Sequence, residues 1–240
     1  MNSFYSQEEL SEIGFLSVGE NVLISKKTSI YNPGAISVGN NVRIDDFCIL
    51  SGKITIGSYS HIAAYTALFG GEMGIEMRDF ANISSKTIVY AAIDDFSGNT
   101  LMGPTIPHQY KNVKAGKVIL KKHAIVGAHS IIFPNVVIGE GAAVGAMSMV
   151  KESLDDWYMY AGVPVRKIKA ERSRAVNKIA ELRKEKLISQ KKLAEQVGLS
   201  RTYISEIENN KKQPNVKLAI KIAKVLGTSV ESIFGPYCKL

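Results

Sequence analysis

The sequence predicts a mainly β N-terminal domain, a parallel β-helix of about six coils, followed by a small all-α domain. Three observations predict this arrangement. An aliphatic residue or Met returns at every sixth position over most of the first 150 residues. Helices repeat every 3.6 residues and strands every 2, so a period of six points to a solenoid. The period stops at Val150, and helical spacing takes over from about Ala175. Charge divides in the same region: residues 1–170 hold 15 Lys+Arg and 15 Asp+Glu, whereas residues 171–240 hold 15 and 7, so the net +8 belongs to the tail. The expected domains are therefore 1–170 and 171–240, and a basic second domain implies a polyanionic partner.

The register runs Val18, Ile24, Ile30; Val38, Ile44, Leu50, Ile56, Ile62, Leu68; Met77, Ile83, Val89; and Leu120, Val126, Ile132, Ile138, Val144, Val150. The next residue is often Gly (Gly19, Gly39, Gly57, Gly127, Gly139, Gly145), and the fourth is usually short, as at Val22, Ala81, Ala124, Ser130 and Ala142. This is the hexapeptide pattern of a left-handed β-helix, in which three hexads make one triangular coil, the aliphatic fills the interior and the short residue tucks into the corner. The step is lengthened by two residues after Ile30, three after Leu68 and twenty-five after Val89. Every uninterrupted run is a multiple of three hexads, so all three insertions leave from one corner. The longest, about Asp94 to Lys117, is expected to overhang the solenoid as a functional loop.

No apolar run is long enough to span a membrane, and Met-Asn-Ser-Phe-Tyr lacks the basic start and apolar stretch of a signal peptide. Two cysteines, Cys48 at an interior hexad position and Cys238 near the end, imply no disulfide framework. The chain reads as cytoplasmic, with no membrane partner.

After the repeat, Ile138-Gly-Glu-Gly-Ala-Ala-Val-Gly-Ala-Met-Ser-Met-Val150 is followed by Ala161-Gly-Val-Pro-Val-Arg166. Over about residues 15–170 the chain resembles the hexapeptide-repeat acyltransferases, among them the galactoside and maltose acetyltransferase type. The resemblance implies a homotrimer with active sites between neighbouring prisms and acetyl-CoA as acyl donor, with no metal. It places coenzyme contacts on Ala128, Ala146, Lys151, Arg166 and Lys169, with the last cations facing the 3′-phosphate. The galactoside-type general base, a His five past the last aliphatic of the third face, is here Asp94. That family's acceptor-binding Asn and Asp fall on Ala63 and Gly71. Tyr90-Ala-Ala-Ile-Asp94-Asp95-Phe-Ser-Gly98 looks more like members of surface-polysaccharide and lipopolysaccharide pathways, which act on sugars or nucleotide-linked amino sugars.

Candidate catalytic residues are His61, Asp94 and Asp95, with His108 and Asn82 as acceptor contacts. His61 of one subunit is expected to meet Asp94 of the next, the carboxylate orienting the imidazole. A carboxylate acting alone would also serve an amine acceptor, so the base stays open between them. A zinc site would need three converging histidines, and the six-residue spacing of His123 and His129 makes them diverge.

The tail carries Ser189-Gln190, Leu193-Ala194, Val197-Gly198-Leu199-Ser200, Tyr203-Ile204, Ile207-Glu208-Asn209 and Pro214, with caps and stops where helices need them. Over about residues 176–235 it resembles the Cro/repressor-type helix-turn-helix. The resemblance implies that the helix from Ser200 enters the major groove. Arg201, Thr202 and Ser205 would read bases, while Gln190, Asn210, Lys211 and Lys212 would touch phosphate. Two functions follow. One is an acetyl-CoA-dependent O- or N-acetyltransferase with an appended DNA-binding domain. The other is a transcription regulator whose β-helix is a non-catalytic sugar or coenzyme sensor.

Overall fold

The computed structural model describes residues 3–169, 177–209, 212 and 214–234. The chain divides into two compact units, residues 1–172 and 173–240. Unit one is a three-sided β-solenoid, and its strand register reproduces the hexad register. On the first face Val18, Val38, Ile56, Met77, Leu120 and Ile138 stack in parallel pairing. On the second, Ile24, Ile44, Ile62, Ile83, Val126 and Val144 do so. The third holds Ile30, Leu50, Leu68, Val89, Ile132 and Val150. Sixteen of these eighteen side chains are buried, while Val18 and Ile30 of the first coil pack against the cluster from its margin.

Two corners turn tightly. The residue three past the aliphatic adopts positive φ at Asn21, Asn41, Tyr59, Phe80 and His123 on one corner, and at Phe47, Tyr65, Lys86, His129 and Met147 on the other. A left-handed residue sends the chain sharply round and its side chain outward, so successive coils stack those side chains into ladders. Tyr59, Phe80 and His123 stack at 5.1 and 4.9 Å between centroids, and Phe47 stacks on Tyr65 at 4.9 Å.

The third corner differs. The strands Ile49–Ile56 and Ala67–Met77 bend round it without a tight turn. The interior position there is large rather than short, and Ile36, Ile54, Ile75 and Val118 form a fourth buried column. All three insertions leave from this corner, as the multiples of three require. The longest opens as an antiparallel ladder between Ala92–Asp94 and Val113–Ala115.

Both ends of the solenoid are covered. Helix α1 (Gln7–Glu12) starts at a capping box of Ser6 and Glu9 and buries Leu10 against the first coils. At the far end, Met159–Ala161 extends the second-face sheet and pairs antiparallel with Arg166–Lys169.

Unit two holds α2 (Ile179–Glu185), α3 (Gln190–Val197), α4 (Arg201–Glu208), α5 (Val216–Val225) and α6 (Val230–Phe234). Ser189, Ser200 and Asn215 cap α3, α4 and α5 by accepting a backbone N–H three residues on. Gly198 ends α3 at φ +77, a conformation that suits glycine. Ile179, Leu193, Val197, Ile204, Ile207, Ile222, Leu226 and Ile233 form the core. Among the described residues, no helix is long and apolar enough to cross a membrane.

Candidate active site and nucleic-acid interface

In a strand, the residues flanking an inward aliphatic point outward. On the second face these are Arg43 and Asp45 around Ile44, His61 and Ala63 around Ile62, and Asn82 and Ser84 around Ile83. Arg43, His61 and Asn82 are direct neighbours along the prism. His61 opens the second-face strand and is half-exposed. Its Nε2 lies 2.8 Å from Asp45 Oδ2, and Arg43 Nε donates to Asp45 Oδ1 at 2.7 Å. Burial alone would raise the Asp45 pKa, but the hydrogen bonds from Arg43 and His61 outweigh it and hold the carboxyl below its ordinary range. The Phe4 ring lies 5.3 Å from the Arg43 guanidinium and so packs the N-terminal segment onto the pair. The partner of His61 within the chain is therefore Asp45. Neither Asp45 nor Arg43 stood out in the sequence, although the 18-residue coil length separates 43 from 61 and is the signal that pairs them.

Asn82 spends both ends of its amide on backbone: Oδ1 accepts from His61 N at 3.0 Å and Nδ2 donates to Phe80 O at 3.0 Å. Ser84, outward on the coil after His61, is anchored by its N–H to Val126 O at 2.8 Å.

The long loop is organised by its two aspartates. Asp94 Oδ2 accepts from Gly103 N at 3.1 Å. The Asp95 side chain is nearly buried. It accepts from Ser97 Oγ at 3.0 Å, Ser97 N at 3.2 Å and Asn112 Nδ2 at 3.0 Å, with Lys114 Nζ at 3.3 Å. These donors, the Ser97 hydroxyl foremost, pull the Asp95 pKa down to about 2. Asp95 thus ties the start of the loop to its returning strand. His108 is exposed, in a short turn spanning His108–Tyr110.

Asp94, Asp95 and Lys151 come together in one open groove of about 440 Å³, with Ile93, Lys114 and Phe133. The Lys151 ammonium lies 5.3 Å from the Phe133 ring centroid. Ala128 and Ala146 sit on successive coils, where Ala128 O accepts from Met147 N at 2.8 Å. Arg166 is exposed opposite Ala161, and Lys169 is opposite Met159. The Cys48 thiol is buried, which raises its pKa to about 11. Among the described residues, no cluster of three His, Cys, Asp or Glu gathers to hold a metal.

In unit two Arg201 and Thr202 are exposed at the start of α4, and Ser205 follows one turn on. Gln190 turns inward, and its Nε2 donates to Glu208 Oε2 at 2.8 Å. Glu208 is also forked by Arg183, through Nε at 2.6 Å and Nη2 at 3.2 Å. Lys212 is paired with Glu206 at 2.8 Å and lies over Tyr203; the Glu206 bond raises its pKa. Asn210 and Lys211 lie outside the described residues.

A hexapeptide-repeat β-solenoid with a helix-turn-helix module is the class that this geometry defines, and comparison with known proteins agrees. The helix-turn-helix family model matches residues 179–233. The chain is 44% identical over 175 residues to a dTDP-4-amino-4,6-dideoxy-D-glucose acyltransferase of Escherichia coli, covering 72% of this chain and 90% of that one. It is 83% identical to AntD, an N-acyltransferase of Bacillus cereus, with TM-score 0.71, covering 78% of this chain and 98% of that chain. Structures of that enzyme contain dTDP-4-amino-4,6-dideoxyglucose with coenzyme A, or dTDP with 3-hydroxybutyryl-CoA, and include its S84A and D94N variants. Forty-seven residues are 47% identical to an uncharacterized HTH-type transcriptional regulator of Methanocaldococcus jannaschii, covering 20% of this chain and 71% of that one. The chain belongs to the sugar N-acyltransferase family. Its first unit is an acyltransferase that uses an acyl-CoA donor, and its second is a helix-turn-helix domain.

Proposed function

We propose that the chain is a homotrimeric, cytoplasmic enzyme that transfers an acyl group from acyl-CoA to the amino group of a dTDP-linked 4-amino-4,6-dideoxy sugar, and that its second unit binds DNA. The observation that carries the first part is the 83% identity across 98% of an N-acyltransferase whose complexes hold that nucleotide sugar and coenzyme A. This chain has Ser at 84 and Asp at 94, the two numbers at which that enzyme was substituted. The acyl donor is acetyl-CoA or a short hydroxyacyl-CoA.

In the reaction the acceptor nitrogen attacks the thioester carbonyl, the C–N bond forms, the C–S bond breaks and coenzyme A leaves as the thiol. The nitrogen must shed a proton. We assign the outward face at His61 and Ser84 to the acceptor and give His61 the proton. Asp94, across the subunit boundary, faces the acceptor's neutral amine rather than the imidazole, because Asp45 already holds the ring. Ala128, Ala146, Lys151, Arg166 and Lys169 line the coenzyme path, and the groove shared by Lys151 and Asp94 favours this assignment. The half-exposed ring ladders at two corners suit burial against second copies of the chain.

Arg201, Thr202 and Ser205 are assigned to base edges and Lys211 and Lys212 to phosphate. The +8 charge confined to residues 171–240 supports this assignment.

The test is thiol release from acetyl-CoA and 3-hydroxybutyryl-CoA with dTDP-4-amino-4,6-dideoxyglucose or a simple galactoside as acceptor. Turnover confined to the amino sugar is expected. Coenzyme binding without turnover on any acceptor would turn the first unit into a sensor. Fluorescence anisotropy with labelled duplex at rising salt checks the second unit.

A further inference from the structure

His61 sits in a built hydrogen-bonded array. Asp45 reaches it from the preceding coil, Arg43 braces the far oxygen of Asp45, and Asn82 on the following coil takes the His61 backbone N–H at 3.0 Å. An ionised carboxylate accepts hydrogen bonds and cannot donate. Asp45 is held in that form, since its pKa lies below the usual carboxylate range. A neutral imidazole 2.8 Å away must then place its one proton on Nε2, which leaves the lone pair on Nδ1.

We propose that Asp45 and Arg43 are positioning residues for acyl transfer: they fix the Nε2–H tautomer and the ring orientation of His61, so that Nδ1 accepts the acceptor's proton. The inference rests on the reading of His61 given above. As the amine nitrogen bonds to the thioester carbon, its proton passes to Nδ1. As the C–S bond breaks, the sulfur takes the electron pair and Nδ1 returns the proton to it, so amide and free thiol are the only products. The Asp45 carboxylate stabilises the imidazolium that forms between the two steps and keeps its own charge. Arg43 acts one bond further away: its guanidinium occupies the second carboxylate oxygen and stops Asp45 from rotating off the ring.

Two measurements on the full chain test this. The first is steady-state thiol release with acyl-CoA and dTDP-4-amino-4,6-dideoxyglucose for His61→Ala, Asp45→Asn, Asp45→Glu and Arg43→Lys. Asp45→Asn is expected to lose about 100-fold in kcat with KM for both substrates held within about two-fold, and His61→Ala at least as much. Asp45→Glu should recover part of the loss. The double variant His61→Ala, Asp45→Asn should be no slower than His61→Ala alone. The second is ¹⁵N NMR of the histidine-labelled protein, in which His61, identified by its absence from the His61→Ala spectrum, should be Nε2-protonated in the wild type and mixed in Asp45→Asn. Loss of kcat in His61→Ala with Asp45→Asn unimpaired would overturn the positioning role and leave the His61 reading intact. An Nδ1–H tautomer in the wild type, or losses that multiply in the double variant, would overturn it as well. Undiminished turnover in His61→Ala would sink the His61 reading itself.

Discussion

The indole of Trp157 lies over Gly141 and fills the space that a side chain at position 141 would need. Gly141 occupies the place in the corner ladder held by Tyr59, Phe80 and His123 in earlier coils, at φ +62. The ladder skips that step, and Trp157 stands 6.2 Å from the His123 ring.

Gly141→Ala should therefore destabilise the last coils by about 1–3 kcal/mol, since a methyl both overpacks the ring and strains a left-handed residue. Trp157 is the single tryptophan, so its fluorescence reports the effect directly. Urea unfolding at fixed protein concentration should show a lower midpoint and an altered native emission.

Ile62 is fully buried at the centre of its column, between Ile44 and Ile83. Ile62→Ala should cost about 2–5 kcal/mol, because stacked coils relax little around a cavity. Val18→Ala should cost less, since Val18 stands at the margin of the cluster. Comparing their thermal midpoints checks this; equal losses would contradict the packing gradient.

The Arg183–Glu208 pair is nearly buried, with side-chain exposures of 10% and 5%. Glu208→Ala leaves the guanidinium unpaired and strands the Gln190 amide, so it should destabilise the helical unit by about 3–5 kcal/mol. Replacing both partners with Met and Leu should cost much less. Circular dichroism at 222 nm on the full chain follows the helical transition in both.

Asp95 titrates at about 2 when folded, against about 3.9 in an unfolded chain. A depressed folded pKa means that its stabilising hydrogen bonds are fully present above about pH 4 and are lost as pH falls from about 4 towards 2. Asp95→Asn should flatten the dependence of the thermal midpoint on pH across that window. An unchanged slope would mean that the loop is not held by this carboxylate.

Arg201→Ala should weaken binding to a selected duplex by about 1–3 kcal/mol and relax base preference. Lys212→Ala should act weakly and uniformly on all sequences, since its charge is already paired with Glu206. Anisotropy titrations on selected and scrambled duplexes separate the two.

How much of this was legible follows from what each position must satisfy. The inward position at the centre of each hexad holds an aliphatic residue or Met, so the three interior columns and the one corner for insertions could be read from spacing. The large residues Ile54, Ile75 and Val118 escaped the short-residue rule because the chain rounds the third corner in continuous strands. Outward positions obey no such rule. Arg43, Asp45 and His61 belong together only through the 18-residue coil length, and that period was applied to the interior alone. Gln190 shows a further limit of spacing: a motif position expected to touch phosphate also donates to a buried carboxylate, a contact that no local pattern announces.

A stack of parallel strands is an open-ended lattice, able in principle to continue from one molecule into the next. Here the final second-face strand, Met159–Ala161, is closed by a strand running the other way, Arg166–Lys169, which carries Arg166, Lys167 and Lys169. The other end is plugged by α1 through Leu10. Reversed polarity and clustered positive charge make the edge at Arg166–Lys169 a poor template for another parallel coil. The same hairpin that the coenzyme reading assigns to phosphate thus also gives the second-face sheet an edge whose polarity does not match a further parallel coil.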